Sequence, residues 1–148
     1  MEALKMKRKI YLFFTLLLTL VTAVCMLVAC DKQGSAKAEI LSKTDTMVVI
    51  KVNETEGFAT LLAAMNYLQD EGKLTFEFSG GMIVSVEGKT NASDWSACWM
   101  LYTSDKEMSN MEWGVVEYDG KSYASAILGA ESLTVAVGEY YILSYVSF

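Results

Sequence analysis

The residues in this 148-residue chain best suited to chemistry are aromatic. Trp95, Trp99, Tyr102, Trp113 and Tyr118 fall within one short stretch that includes a loop rich in Gly, Ser, Asn and Asp. Rings with a polar tip serve both packed cores and wet binding surfaces, so this set supports stacking and apolar burial. That is binding chemistry. Trp95 stands in the polar loop and is expected at the surface. For any one of the others packing is the commoner use, because large aromatics are mostly buried. Tyr140, Tyr141 and Tyr145 crowd the last segment, with Tyr141 and Tyr145 expected on one face.

Bond-breaking constellations are scarce. The chain has no histidine, which removes Ser-His-Asp and Cys-His nucleophile systems and the usual zinc, copper and haem ligands. Asp70 with Glu71, and Glu54 with Glu56, read as solvated surface at a helix end and in a loop. No phosphate-cradling or calcium-binding loop occurs. The chain therefore reads as a binding protein, with no catalytic residues, no metal site and no bound cofactor expected.

The first thirty residues differ chemically from the rest. Lys5, Lys7, Arg8 and Lys9 form a basic start, succeeded by an apolar run from Ile10 to Val28. This is the pattern of an export signal. The cytoplasmic side retains the basic end while the apolar run enters hydrocarbon, so the remainder of the chain lies outside. A run approaching about 20 residues could also stay as an uncleaved anchor. The tetrapeptide Leu27, Val28, Ala29, Cys30 favours the other outcome, because it resembles the lipobox of bacterial lipoproteins. That resemblance implies a diacylglyceryl group on Cys30, cleavage before it, and attachment to the outer face of the cytoplasmic membrane in a Gram-positive-type cell. Two acyl chains or more anchor stably where one is marginal.

Residues 1–29 carry 4 of the 12 basic residues and 1 of the 18 acidic ones, which leaves 8 against 17 and a net charge of −9. Nucleic-acid affinity is built on Lys and Arg against phosphate, so no nucleic-acid partner is expected. Docking on anionic lipid by charge is disfavoured for the same reason. Cys25 leaves with the signal and Cys30 is committed to lipid, so Cys98 has no partner for an intradomain disulfide. It reads as a small buried hydrophobe.

These residues need elements to position them. Residues 30–45, rich in Lys, Ser, Ala, Asp and Glu, read as a flexible tether. One domain occupies 46–148. Met47 to Val52 is dense in apolar and β-branched residues and predicts a covered strand. Leu61, Leu62, Met65 and Leu68 recur at helical spacing, with Thr60 to cap the start and Gly72 to close the end. Leu74, Phe76 and Phe78, then Met82, Val84 and Val86 across Gly80–Gly81, predict a hairpin with one apolar face. Further strands are expected at Ala97 to Thr103 and Trp113 to Val116. A final pair, Leu133 to Val137 and Tyr141 to Phe148, is expected around Gly138. Strands with one helix laid across them make an α+β layer arrangement.

The order of these elements resembles the transcobalamin-like C-terminal domain family of Gram-positive surface proteins over 46–148. Thr60, Leu61, Leu62, Ala64 and Met65 carry it at the helix start, and Gly81, Met82, Ile83, Ser85, Val86 and Gly88 in the hairpin. Trp99, Met100 and Tyr102 match the aromatic strand, while Gly138, Glu139, Ile142 and Tyr145 match the closing turn and strand. Ala63, the Ser104–Asp105 turn and Glu139 depart from the pattern. The resemblance implies a β-grasp-like fold, with a mainly antiparallel or mixed sheet packed against one helix. It places Trp99 in the core and implies a soluble-ligand domain, with cobalamin or a related corrinoid as the ligand of the transcobalamin branch.

Two functions of different classes are consistent with this reading. One is capture of a flat amphipathic molecule at the membrane surface for a transporter, with Trp95, Trp99, Tyr102, Trp113 and Tyr118 as the ligand-contacting set. The other is an interaction module for another surface protein or the cell wall, using a strand edge or aromatic patch. A concave pocket lined by Trp95 and Tyr102 would fit the first, and a flat exposed strip the second. The targeting pattern itself generates one prediction. Cells fed a fatty-acid analogue should label the wild-type chain and leave Cys30→Ala unlabelled; equal label in both would remove the lipoprotein reading.

Overall fold

The computed structural model describes residues 36–148, so the expected export signal, Cys30 and the first part of the expected tether lie outside the described residues. The elements are β1 (Ala38–Lys43), β2 (Met47–Val52), α1 (Leu61–Asp70), β3 (Phe76–Ser79), β4 (Met82–Val86), β5 (Lys89–Thr90), β6 (Ala97–Thr103), β7 (Ser109–Tyr118), β8 (Lys121–Ala126) and β9 (Tyr140–Ser147). Six strands form one sheet in the order β1-β2-β9-β6-β8-β7, and β3-β4-β5 form a second, smaller one. Every pairing is antiparallel. The class is α+β, mostly antiparallel sheet with one short helix.

Alternation along the central strands divides their side chains between two cores. On the helix side, Val48, Ile50 and Val52 of β2 meet Tyr141 and Leu143 of β9 and the helix residues Leu61, Ala64, Met65 and Leu68. On the opposite face Val49 and Ile142 pack with Tyr102 and Tyr123. A strand apolar on both sides needs this double cover, because successive side chains point to opposite faces. Burying each large aliphatic helix residue stabilises by about 1.5–3 kcal/mol, which is why ten helical residues hold their place.

The helix ends as its residues dictate. The Thr60 hydroxyl accepts from the Ala63 N–H at 3.4 Å, and Gly72 adopts a φ of +67°. The Gly72 N–H donates to the Gln69 carbonyl and the Lys73 N–H to the Leu68 carbonyl, the paired closure that a left-handed residue after the cap permits. First-turn amides normally lack partners. Here the Leu61 N–H donates to the Leu133 carbonyl at 2.9 Å and the Leu62 N–H to the Ala130 carbonyl at 2.8 Å. The segment 130–133 is thus held against the helix start, with Leu133 fully buried.

Four expectations are corrected. The tether read over 30–45 gives way at Ala38 to an edge strand paired with β2. Its alternation is broken at Leu41, where Ile40 faces Ile50 and Ser42 faces Val49, so the segment does not read as a strand until β2 lies beside it. The hairpin turns at Gly80 and Gly81 as expected, with φ of +60° and +83°. A bulge at Val84 then shifts its register, pairing Phe78 with Ile83. Ile83 therefore enters the core, and Met82 is left exposed. Residues 133–137 are not a strand: only Thr134 bridges, to Thr60, and β9 lies between β2 and β6. Finally β8, rich in Ser and Ala, carries no strand signal of its own, and β7 extends well beyond Trp113 to Val116.

Tyr141 is fully buried; its hydroxyl accepts from the Ala136 N–H at 2.9 Å and approaches the Thr134 carbonyl at 3.4 Å. Burial pushes the Tyr141, Tyr102 and Tyr123 phenols up from their ordinary value. A raised phenol stabilises the fold fully below the unfolded value of about 10 and loses that contribution as pH climbs through the folded value. The thermal midpoint should therefore hold from pH 7 to about 10 and fall above it. Tyr141→Phe should cost about 1–3 kcal/mol at neutral pH, by leaving the Ala136 amide without an acceptor, and should reduce the alkaline loss. An alkaline profile unchanged by that substitution would contradict this account.

Candidate functional site

Three separate segments bring three tryptophans to one place. Trp99 comes from β6; its ring is buried, its indole N–H donates to the Lys89 carbonyl at 2.7 Å, and Tyr145 meets it edge-on at 5.5 Å between ring centroids. Its main-chain N–H donates to the Asn91 side-chain oxygen at 2.9 Å, while the amide NH₂ of Asn91 donates to the Ile83 carbonyl at 2.9 Å. Asn91 thereby fastens the small sheet to β6 with both ends of one side chain.

Trp95 is held by the turn before β6. Its N–H donates to the Ala92 carbonyl at 3.0 Å, and the Ala92 N–H closes the loop on the Ala97 carbonyl at 2.8 Å. Asp94 accepts from both the Ser96 hydroxyl and its N–H, and these two bonds hold its carboxyl below the ordinary value. Trp95 itself has a φ of +60°, a left-handed conformation that costs a non-glycine residue about 1–2 kcal/mol. The residue is 53% exposed. A bulky residue kept in a strained turn with its ring in water is a feature that points toward function.

Trp113 arrives through an interruption in β7. Asn110 pairs with Ser125 and Val115 with Ala124, so the four residues 111–114 loop out of the strand. The Asn110 side chain accepts from the Glu112 N–H at 2.8 Å, and Gly114 takes a φ of +128°. This displays Met111 and Trp113 at 68% and 61% exposure, well above the other large apolar residues of the strands.

Between these segments lies a cleft of about 490 Å³, walled by Met82 and Ile83, by Cys98 to Leu101 of β6, by Trp95 and Trp113, and by Ile127 to Ala130. No charged side chain lines it. It exists because β8 pairs with β6 only at Tyr102 and Thr103, after which the two strands part. The Ile127 N–H turns instead to the Met108 carbonyl, and the helix start holds the far end of the segment at Ala130 and Leu133. A second depression, of about 620 Å³, lies beside Thr103, Lys106, Lys121 and Glu139. It carries charges of both signs and none of the tryptophans.

Of the expected contact residues, Trp95, Trp99 and Trp113 meet at this cleft. Tyr102 and Tyr118 do not. Tyr102 lies three positions beyond Trp99 in the same strand, so it points to the other face and is buried there with Tyr123, Val49 and Ile142. Tyr118 joins it through Tyr123, whose ring is 6.4 Å away. The pocket expected from Trp95 and Tyr102 is thus met by Trp95 alone. Met82, Ile127 and Leu128 are lining residues that the sequence reading misses; the adjacent apolar pair before Gly129 is the available signal for the last two, while simple alternation carried through the bulge turns Met82 inward. Cys98 is half-buried with its sulfur 3.7 Å from that of Met100, and burial pushes its thiol up, toward the protonated form.

Among the described residues no group of three or more His, Cys, Asp or Glu is placed to hold a metal ion, and no helix there is long and apolar enough to cross a membrane. Comparisons of the chain with protein-family models, with curated proteins and with solved structures gave no match.

The strain at Trp95 gives a direct check. Glycine tolerates this φ without a Cβ clash but loses more freedom on folding. Trp95→Gly should therefore keep its denaturation free energy or raise it by up to about 1 kcal/mol. A loss well beyond that figure would show that the ring supports the fold and is not held out for a ligand.

Proposed function

We propose that this domain is an extracytoplasmic ligand-binding module, held to the outer face of the cytoplasmic membrane by lipid on Cys30, with the tryptophan cleft as its binding site. The observation that carries the reading is the convergence of Trp95, Trp99 and Trp113 on one uncharged, concave surface. Its size falls in the ordinary range for ligand pockets, about 300–1,000 Å³. Exposing Trp95, Trp113, Met82 and Leu128 together costs solubility, and contiguous exposed apolar surface of this kind marks a binding site.

The strand ends add an orientation. Ala38 at the start of β1 lies opposite Val52 at the end of β2, beside the start of β9, whereas Trp95 precedes β6 at the edge where Ala97 meets Ser147. The first described strand therefore begins at one end of the sheet, and Trp95 stands at the other. Capture of a soluble ligand and its transfer to a transporter or another surface protein is the role that fits an exposed cleft of this kind. The β-grasp-like assignment belongs to the same proposal; what supports it is a single helix across a sheet in which the early strand β2 and the last strand β9 are neighbours.

The resemblance to transcobalamin-like domains makes a corrinoid the first small molecule to try. The cleft offers stacking and apolar burial, and the chain has no histidine to reach a corrin cobalt. A second reading, a module that contacts another protein, is favoured by a different feature of the same cleft, the open edge of β6. Equilibrium dialysis of the protein against cobalamin, cobinamide and haem tests the small-molecule reading. Saturable binding is expected, weakened about tenfold by Trp95→Ala, the equivalent of about 1.4 kcal/mol. Absence of binding to all three would remove corrinoid and haem capture.

A further inference from the structure

Alternate residues of an antiparallel strand turn their main-chain groups to opposite neighbours. In β6 the even residues serve β9, as the flanking bonds from the Phe148 N–H to the Ser96 carbonyl and from the Ser104 N–H to the Tyr140 carbonyl show. Odd residues face the β8 side. Thr103 pairs there with Ala124, the Trp99 N–H goes to Asn91, and the Ala97 carbonyl accepts from Ala92. The ladder with β8 ends at Tyr102. The Leu101 N–H and the Trp99 carbonyl point to the same side, past the end of that ladder, where neither takes part in the pairing with Ser125 and Ala124 or bonds to the main chain of a loop residue.

These two groups belong to Trp99 and Leu101, both of which wall the tryptophan cleft. A donor and an acceptor two residues apart on a strand edge match the amide spacing of another extended chain. The volume agrees. One strand residue fills about 160 Å³, from a rise of 3.3 Å, a strand spacing of 4.8 Å and a layer of 10 Å, so 490 Å³ admits about three residues.

Charge narrows the partner. The lining is neutral, but Asp94, Glu112 and Glu131 directly adjoin the lining residues Trp95, Trp113 and Ala130, and all three are exposed. A Glu131 carboxylate oxygen lies 3.4 Å from where a Cβ would stand on Gly81, at the same cleft. Among the residues around the cleft the nearest lysine in sequence to Trp95, Lys89, is engaged over the Tyr145 ring at 4.2 Å. An apolar stretch bounded by cationic residues meets both features.

We propose that the cleft binds an extended apolar peptide segment flanked by Lys or Arg, which adds to the open edge of β6 as a short strand with its side chains against Trp95, Trp99 and Trp113. This rests on the cleft being the binding site and assigns it a peptide partner in place of a planar ring. Hydrogen bonds to the strand edge give affinity, and the tryptophans select apolar side chains.

The test uses the full-length protein in detergent, with a fluorescent peptide of sequence Lys-Lys-Val-Leu-Val-Lys-Lys, blocked at both ends, read by anisotropy against detergent alone. A second peptide carries N-methyl groups on the three central amides, and a third replaces the lysines by glutamates. The parent should bind saturably, the N-methylated peptide at least tenfold more weakly although it is more apolar, and the glutamate peptide more weakly still at low salt. Trp95→Ala and Trp113→Ala should each weaken the parent severalfold. Equal or tighter binding of the N-methylated peptide, still sensitive to the two tryptophans, would overturn strand addition while leaving the cleft as the site. Parent binding indifferent to both tryptophans would overturn the cleft reading itself, and absence of parent binding would overturn the peptide assignment.

Discussion

The last strand of the chain lies in the middle of the sheet, and most of the fold waits on its placement. β9 pairs with β2 along Met47 to Lys51 and with β6 from Tyr141 to Ser147. Tyr141 and Leu143 complete the core under the helix, and Ile142 completes the opposite one. No earlier segment can do this, since without β9 the strands β2 and β6 have no common partner. The pairing of β2 with β9 joins residues about ninety positions apart, so its loop-closure entropy must be met before the cores form.

The helix start couples that core to the cleft. Because the Leu61 and Leu62 amides are satisfied by carbonyls of Leu133 and Ala130, the chain between β8 and β9 is pinned to the helix and drawn away from β6. An ordinary continuation of β8 along β6 would close the cleft. Asn91 fixes the opposite wall, since its two hydrogen bonds join β4 to β6. The space at the site is therefore built by hydrogen bonds to the main chain at its margins, from the helix amides on one side and the Asn91 side chain on the other, with apolar side chains filling the walls.

Charge and exposure separate in the same way. The acidic residues that give the chain beyond residue 29 its net charge of −9 stay outside the cleft lining. The loop of residues 111–114 interrupts an edge strand, a common protection against strand pairing between molecules. Charged residues would serve that purpose alone. Met111 and Trp113 instead place apolar surface in water beside the cleft, a cost that edge protection does not require.

The sequence by itself determined the elements whose signals are local. The helix with Thr60 and Gly72 at its ends, the Gly80–Gly81 turn and the strand Ala97 to Thr103 all arise from spacing, capping chemistry and composition. It also singled out Trp95, Trp99 and Trp113. What only the tertiary structure decided depends on partners distant in sequence. Ala38 to Lys43 became a strand because β2 lies beside it, and the bulge at Val84 sent Ile83 inward and Met82 to the cleft. Leu133 to Val137 lost its strand because the helix start took the Leu133 carbonyl. Tyr102 parted from Trp99 because strand parity assigns faces only once both faces of the sheet have cover, and the cleft formed because β8 leaves β6 after two pairs. Register, face and divergence are relations between segments, and no window of a single segment contains them.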